Sequence, residues 1–343
     1  MIKKVKKGAL IAAYIILLII LFYVLKSIGF KNIYENIMRA NKIYLIIAFI
    51  AGAIYFLVWN YKFYKMLKTE FKKKVKYWKT LPISFAGSFF NNTTPGAGVG
   101  GEPIKAYYCS LIYKKSKSKI FAILLIDKAI NNIVFMVFLI PSILFAVLFV
   151  KMPTTVKIIL GVVVGATVLL FIGAYLLVTN IKRKHLKRFL KMLYHNRITS
   201  FFERRFKRYR KFESYVFGRM KAFHNTYQNT VKNSAGLRLN FFLGTLMWTS
   251  RYVYPLFLFY AFGFEVNILM MIIALNIAQV IGMLSFLPGG MGIQEPVMIS
   301  LFLAFGIDPT IAAIVTVMDR AIFYFYALVV GYISFVYLNH KYG

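Results

Sequence analysis

The sequence predicts an all-α, polytopic helical membrane protein with about six full spans plus two re-entrant Pro/Gly hairpins, arranged as an inverted-topology internal repeat. Three observations predict it. Of 343 residues, 60% are hydrophobic and only 16% charged, too apolar a balance for a soluble domain of this size. Several uninterrupted apolar runs reach the ~20 residues that cross a ~30 Å hydrocarbon core. Two Pro-Gly clusters, one in each half, are each followed at the same distance by Glu-Pro.

Along the chain, Lys3, Lys4, Lys6 and Lys7 precede an apolar stretch from Gly8 to about Ile28. That stretch is longer than a signal-peptide core and no small-x-small cleavage site follows it, so it reads as a retained anchor helix. Five further spans are expected at 43–65, 120–150, 155–179, 237–262 and 309–338. The apolar regions 80–112 and 267–307 are each split near the middle by Pro and Gly. Arms of about a dozen residues, at ~1.5 Å per residue, reach only halfway through the core, so the first region is expected to be a re-entrant hairpin. In the second, the arm from Asn267 to Leu287 is long enough to cross alone, which leaves a full crossing open there. The chain is then one integral membrane domain over 1–339, with a first repeat at 43–150, a basic segment at 181–236 and a second repeat at 237–339.

Basic residues collect on the cytoplasmic side. Residues 63–79 hold seven lysines and 114–119 hold four, which puts both ends of the first hairpin inside. From Tyr252 to Asp319 there is no Lys or Arg, and Glu265 and Asp308 flank the second hairpin, which puts its ends outside. Six crossings then leave both termini in the cytoplasm and the protein in the cell membrane, although the external loop 26–42 carries four basic residues against the rule.

The formal charge of +34 comes from 44 Lys+Arg against 10 Asp+Glu. Much of it lies in residues 181–238, with 17 Lys/Arg interleaved with Phe189, Phe201, Phe202, Phe206, Tyr209 and Phe212. This reads as amphipathic helix lying on the anionic inner leaflet. Nucleic acid is not an expected partner, because no nucleic-acid-binding motif accompanies the charge. A single cysteine, Cys109, excludes an intramolecular disulfide framework and a CxxC pair, and His185, His195, His224 and His340 lack metal-ligand spacing. No metal, cofactor or catalytic constellation is expected. Gly96, Gly98 and Gly101 formally satisfy GxGxxG, but the motif needs a preceding strand and a βαβ unit that this chain does not offer.

The repeat is carried by spacing. Pro95-Gly96 is followed seven residues on by Glu102-Pro103, and Pro288-Gly289 by Glu295-Pro296 at the same distance. Asp127-Lys128 lies 25 residues after Glu102, and Asp319-Arg320 lies 24 after Glu295. Upstream, Trp59 and Lys62 are matched by Trp248 and Arg251. The offsets run from 189 to 193. With opposite sidedness, these are the features of an inverted-repeat transporter whose site lies where the broken segments meet.

Glu102, Asp127, Glu295 and Asp319 lie at membrane depth, where an ionised carboxylate costs at least ~2.5–3.5 kcal/mol on insertion scales and must be paired or hydrated. Lys62, Lys105, Lys128, Arg251 and Arg320 are the basic candidates. Neighbours in sequence point about 100° apart on a helix, so Asp127 is expected to pair with another helix rather than automatically with Lys128. Freed amides where the half-helices start near Glu102-Pro103 and Glu295-Pro296 suit a phosphate oxygen, with the carboxylates left for a cationic head group or a proton. Asn91, Asn92, Thr93 and Thr94 are extra donors or helix caps. Arg251 and Arg320 have two open readings, a bidentate phosphate fork or a buried ion pair with Glu295 or Asp319.

At the Asn91-Asn92-x-x-Pro95-Gly96-x-Gly98-x-Gly100-Gly101-Glu102-Pro103 run, Asp127-Lys128, the Leu287-Pro288-Gly289-Gly290-x-Gly292-x-x-Glu295 run and Asp319-Arg320, the sequence resembles the membrane domain of the lysylphosphatidylglycerol synthase/flippase family, the MprF-like or UPF0104 proteins. The likeness covers roughly residues 8–339. It implies movement of aminoacylated phosphatidylglycerol or a related anionic phospholipid between leaflets. The soluble domain that transfers lysine from charged tRNA is not expected here, since no segment is long enough to hold it. A lipid flippase is the first reading. The alternatives are a membrane enzyme acting on a lipid head group, with the four carboxylates as acids or bases, and a scaffold whose basic loop recruits a soluble lipid synthase.

Overall fold

A computed structural model describes residues 38–71, 75–94, 98, 100–149, 234–285 and 287–343, with position 35 and scattered positions between 158 and 228. The expected anchor at 8–28, the span at 155–179, most of the basic segment 181–236, and Pro95 and Gly96 lie outside the described residues. Within the basic segment, residues 212–218 are helical, and Phe212 is buried.

The described residues are helical throughout, with no strand. In order they form α1 (Lys42–Phe71), α2 (Tyr77–Thr93), α3 (Gly101–Tyr113), α4 (Lys117–Phe149), α5 (Ser234–Ala261), α6 (Ile268–Leu284), a short 3₁₀ turn (Pro288–Gly290), α7 (Gln294–Ala304), α8 (Pro309–Tyr324), a π-helical stretch (Phe325–Val330) and α9 (Gly331–Tyr342). Three runs are long and apolar enough to cross a membrane: Lys42–Phe71, Lys117–Leu148 and Pro309–Tyr342. They coincide with three of the expected spans. The span expected at 237–262 is α5, where Arg238, Asn240 and Arg251 interrupt the apolar run. Ile43, Val137, Leu148, Phe242 and Ile333 stand exposed, an apolar surface that suits lipid rather than water.

Both Pro/Gly regions break their helices. The arms are α2 and α3 in the first half, 17 and 13 residues, and α6 and α7 in the second, 17 and 11 residues. At ~1.5 Å per residue even the longer arms rise only about 25 Å, so α6 is no longer than α2 despite the longer apolar run that contains it. Local chemistry explains the ends. Asn267 caps α6 by accepting from the amides of Leu269 and Met270, and Asp308 caps α8 ahead of Pro309, the residue best suited to a first helical position. At the end of α2, Thr93 and Thr94 donate their hydroxyls to the carbonyls of Phe89 and Phe90.

The packing is reciprocal. Helix α1 runs antiparallel to α5: the Asn41 amide donates to the Ala261 carbonyl at 2.8 Å, while Lys62 near the other end lies beside Gly244. Helix α2 packs on α9, with Phe90 against Phe335 at 5.0 Å between ring centroids. Helix α6 packs on the far end of α4, where Asn276 donates to the Ser142 hydroxyl at 3.3 Å. The first arm of each hairpin thus docks on the long helical run that closes the other half.

Close backbone approach needs glycine at two places. A Cβ on Gly101 would lie 2.0 Å from the Gly87 carbonyl oxygen, where α2 and α3 cross. Gly289 has φ 62°, in the left-handed region, and a Cβ there would sit 3.0 Å from the Asn92 amide oxygen. That contact brings the tips of the two hairpins together.

Candidate functional site

A cavity of about 190 Å³ lies where the hairpin tips meet α1, α4, α5 and α8. It is smaller than the ~300–1,000 Å³ that encloses a drug-sized molecule, so it has room for a head group and not for acyl chains. Its charged lining is Glu102, Lys105, Asp127, Lys128, Arg251 and Arg320.

Each aspartate of the repeated motif is held from another helix. Lys62, fully buried on α1, donates to the Asp127 carboxylate on α4 and, at 2.8 Å, to the amide oxygen of Asn131. Arg251 on α5 grips Asp319 on α8 through two parallel hydrogen bonds of 2.9 and 3.1 Å. The neighbour Lys128 makes no such pair and Arg320 comes only within 3.9 Å of Asp319, because adjacent side chains on a helix diverge. Asp127 and Asp319 are nearly inaccessible, and a lone buried charge costs several kcal/mol, so each pair is a condition for the helices to pack at all.

The glutamates are held closer to home. Glu102, in the first turn of α3, faces Lys105 one turn on at 3.6 Å, and the Lys105 ammonium lies 4.3 Å from the centre of the Trp59 ring. Glu295, in the first turn of α7, accepts from the Gly292 amide at 2.7 Å and the Tyr324 hydroxyl at 3.3 Å, with Arg320 Nε at 3.6 Å. Arg320 also donates to the side-chain oxygen of Gln294, yet its Nε makes no hydrogen bond. Acids in a first turn are favoured by the helix dipole, and the freed amides are partly satisfied by the protein: Gly101 N–H goes to Asn91 at 2.7 Å and Gly292 N–H to Glu295. These amides are therefore engaged rather than free for a phosphate.

Lys128 stands apart. It donates to the Gly98 carbonyl in the hairpin tip, and no carboxylate among the described residues lies within salt-bridge reach. Five basic groups against four carboxylates leave the cluster with one positive charge over, and Lys128 carries it into the cavity.

Residues 10–331 match the family model described as the lysylphosphatidylglycerol synthase TM region. The chain belongs to this family. UPF0104 membrane proteins are similar over nearly their whole length. One from Pyrococcus horikoshii is 28% identical over 329 residues, covering 95% of each chain. One from Methanothermobacter thermautotrophicus is 24% identical over 338 residues, covering 97% of this chain and 96% of its own. Another from Methanocaldococcus jannaschii is 24% identical over 336 residues, covering 97% and 94%.

In this member of the lysylphosphatidylglycerol synthase TM family, Asn91, Asn92, Glu102, Lys105, Asp127, Lys128, Arg251, Gly289 and Arg320 of the sequence-predicted residues line the cavity. Lys62, Pro288, Glu295 and Asp319 stand behind it, holding those that do. Sequence reasoning missed Asn131, Asn132, Gln279 and Gln294, which also line it. Asn131 follows Asp127 by one helical turn, so helical periodicity pointed to it, whereas Gln294 had only its place beside Glu295 as a signal. For Gln279 the signal was a polar carboxamide inside an apolar run, one turn after Asn276.

Proposed function

We propose that the protein is a flippase that carries an anionic or aminoacylated phospholipid between the leaflets of the cell membrane. The observation that carries this reading is the small, net-positive, polar cavity formed where two broken helical hairpins meet. Irregular backbone at membrane depth is tolerated where it lines a hydrated cavity, and a cation excess there favours a lipid phosphate. The antiparallel course of α1 and α5 and the reciprocal docking of α2 and α6 support two halves of opposite topology. In that arrangement the hairpins are re-entrant from opposite faces, both termini are cytoplasmic, and rocking of one half against the other exposes the cavity alternately. The basic segment 181–236 then rests on the anionic inner leaflet.

Transport rather than catalysis is favoured because each of the four carboxylates is held by a cation, which leaves none as an uncommitted general base. The test is reconstitution in liposomes with fluorescent phosphatidylglycerol, following dithionite bleaching of the outer leaflet. Protein-dependent loss of the protected inner-leaflet signal is expected, slowed in Lys128→Gln. No protein-dependent movement, with or without an imposed proton or sodium gradient, would overturn the proposal.

A further inference from the structure

The chemistry left uncommitted in the cavity narrows the guest. An amine-bearing head group is held most strongly by an anionic acceptor. Each of the four carboxylates already faces a cation, Glu102 across 3.6 Å to Lys105, Asp127 to Lys62, Asp319 to Arg251 and Glu295 to Arg320. An added ammonium would have to break one of these pairs, or enter a space whose surplus charge is positive. What remains is of a different kind: the Lys128 ammonium, held only by a carbonyl, and six carboxamides on the cavity wall. Asn132 and Gln279 make no hydrogen bond to the described protein. Asn131 spends its oxygen on Lys62 and Asn91 spends its own on Gly101, which leaves both NH₂ groups without a partner among the described residues. A carboxamide presents two donors and an acceptor; a hydroxyl, itself donor and acceptor, answers both kinds, whereas an ammonium answers only the acceptor.

We propose that the guest is a phosphodiester lipid whose head group is uncharged and hydroxylated, such as glycerol, inositol or a sugar, and not one carrying an amine. The phosphate lies against Lys128, and the hydroxyls are read by Asn132 and Gln279 across the cavity. The inference rests on the reading that this cavity receives a lipid head group, and it excludes the aminoacylated half of that reading.

The test is a binding measurement independent of transport. Of the three tryptophans, Trp59 and Trp248 line the cavity, and the exposed Trp78 is replaced by phenylalanine, so intrinsic fluorescence reports occupancy. Purified protein in detergent is titrated with dioctanoyl phosphatidylglycerol, phosphatidylinositol, phosphatidic acid and lysylphosphatidylglycerol. Phosphatidylglycerol and phosphatidylinositol are expected to bind about tenfold more tightly than lysylphosphatidylglycerol. The double variant Asn132→Ala/Gln279→Ala is expected to lose about tenfold toward phosphatidylglycerol while phosphatidic acid, which has no head-group hydroxyls to read, binds as before. Gln279→Glu supplies an uncommitted carboxylate and keeps the side chain's shape. It is expected to turn the preference toward lysylphosphatidylglycerol.

Equal or tighter binding of lysylphosphatidylglycerol by the unaltered cavity would overturn the proposal, as would an unchanged preference in Gln279→Glu. Selective binding of phosphatidylglycerol without lipid movement in liposomes would sink the transport reading and leave this one standing. Faster movement of lysylphosphatidylglycerol than of phosphatidylglycerol would do the reverse.

Discussion

Asp127 and Asp319 occupy the same step of the two hairpin halves, yet they are held by different chemistry. In the first half a lysine ammonium meets the carboxylate as a point charge and divides its donors with Asn131. In the second an arginine fork satisfies both oxygens at once. A fork fixes distance and orientation together, whereas an ammonium on a flexible stem tolerates rotation. The difference extends outward. The second half carries side-chain caps at Asn267 and Asp308, while α2 and α3 begin without one. The second half also keeps no uncommitted cation, and the first presents Lys128. The second half thus fixes its aspartate in one orientation, while the first supplies the cavity's surplus cation, and both halves line the cavity.

Breaking the arginine fork tests this contrast most severely. Arg251→Leu leaves Asp319 buried with only Arg320 Nε nearby, at 3.9 Å, and is expected to cost about 3–5 kcal/mol, seen as a large drop in melting temperature in detergent or loss of folded protein. Replacing both partners, Arg251→Leu with Asp319→Leu, is expected to recover most of that loss. A double variant no more stable than the single would mean that the pair is not what holds α5 to α8.

Exchanging the two chemistries is the next step down. Arg251→Lys keeps the charge but gives up one of the two hydrogen bonds to a buried carboxylate, an expected loss of about 1–3 kcal/mol in thermal unfolding. Equal melting temperatures for this variant and the unaltered protein would remove the distinction between fork and point charge.

A smaller stability effect is expected from the caps. Asp308→Ala and Asn267→Ala should each cost about 1 kcal/mol and leave lipid movement unchanged, because both stand at helix starts remote from the cavity lining. Slowed transport at unchanged stability would mean that these caps serve lipid movement and not only the fold.

Lys128→Gln is expected to change stability least, by no more than about 0.5 kcal/mol, since it breaks no carboxylate pair. It should nonetheless slow lipid movement about tenfold through loss of the surplus charge. A variant that unfolds early but moves lipid at the normal rate would make Lys128 a structural group.

Much of this was legible along the chain. Apolar composition and run length set an all-helical membrane protein, and the Pro/Gly clusters set the breaks, because proline together with several flexible glycines disfavours helix, whereas lone Pro141 and Pro255 are carried inside α4 and α5. The spacing Trp59–Lys62 against Trp248–Arg251, and Asp127 against Asp319, marked the residues that meet. These are local or periodic signals, and local physics reads them.

Three things were decided only by tertiary structure. Asp127 chose Lys62, 65 positions away, over adjacent Lys128. Gln279 and Asn132, from different halves, came to face one cavity. Of the amides near the two helix starts, that of Gly101 was taken by Asn91 and that of Gly292 by Glu295. The reason is common to all three: a helix sends successive side chains about 100° apart, so which groups meet depends on how helices distant in sequence pack and rotate against one another. The sequence by itself therefore determined the helices, their breaks and the list of charges, while only the packing of α1 on α5, α2 on α9 and α6 on α4 decided which charges cancel and which one is left over for a guest.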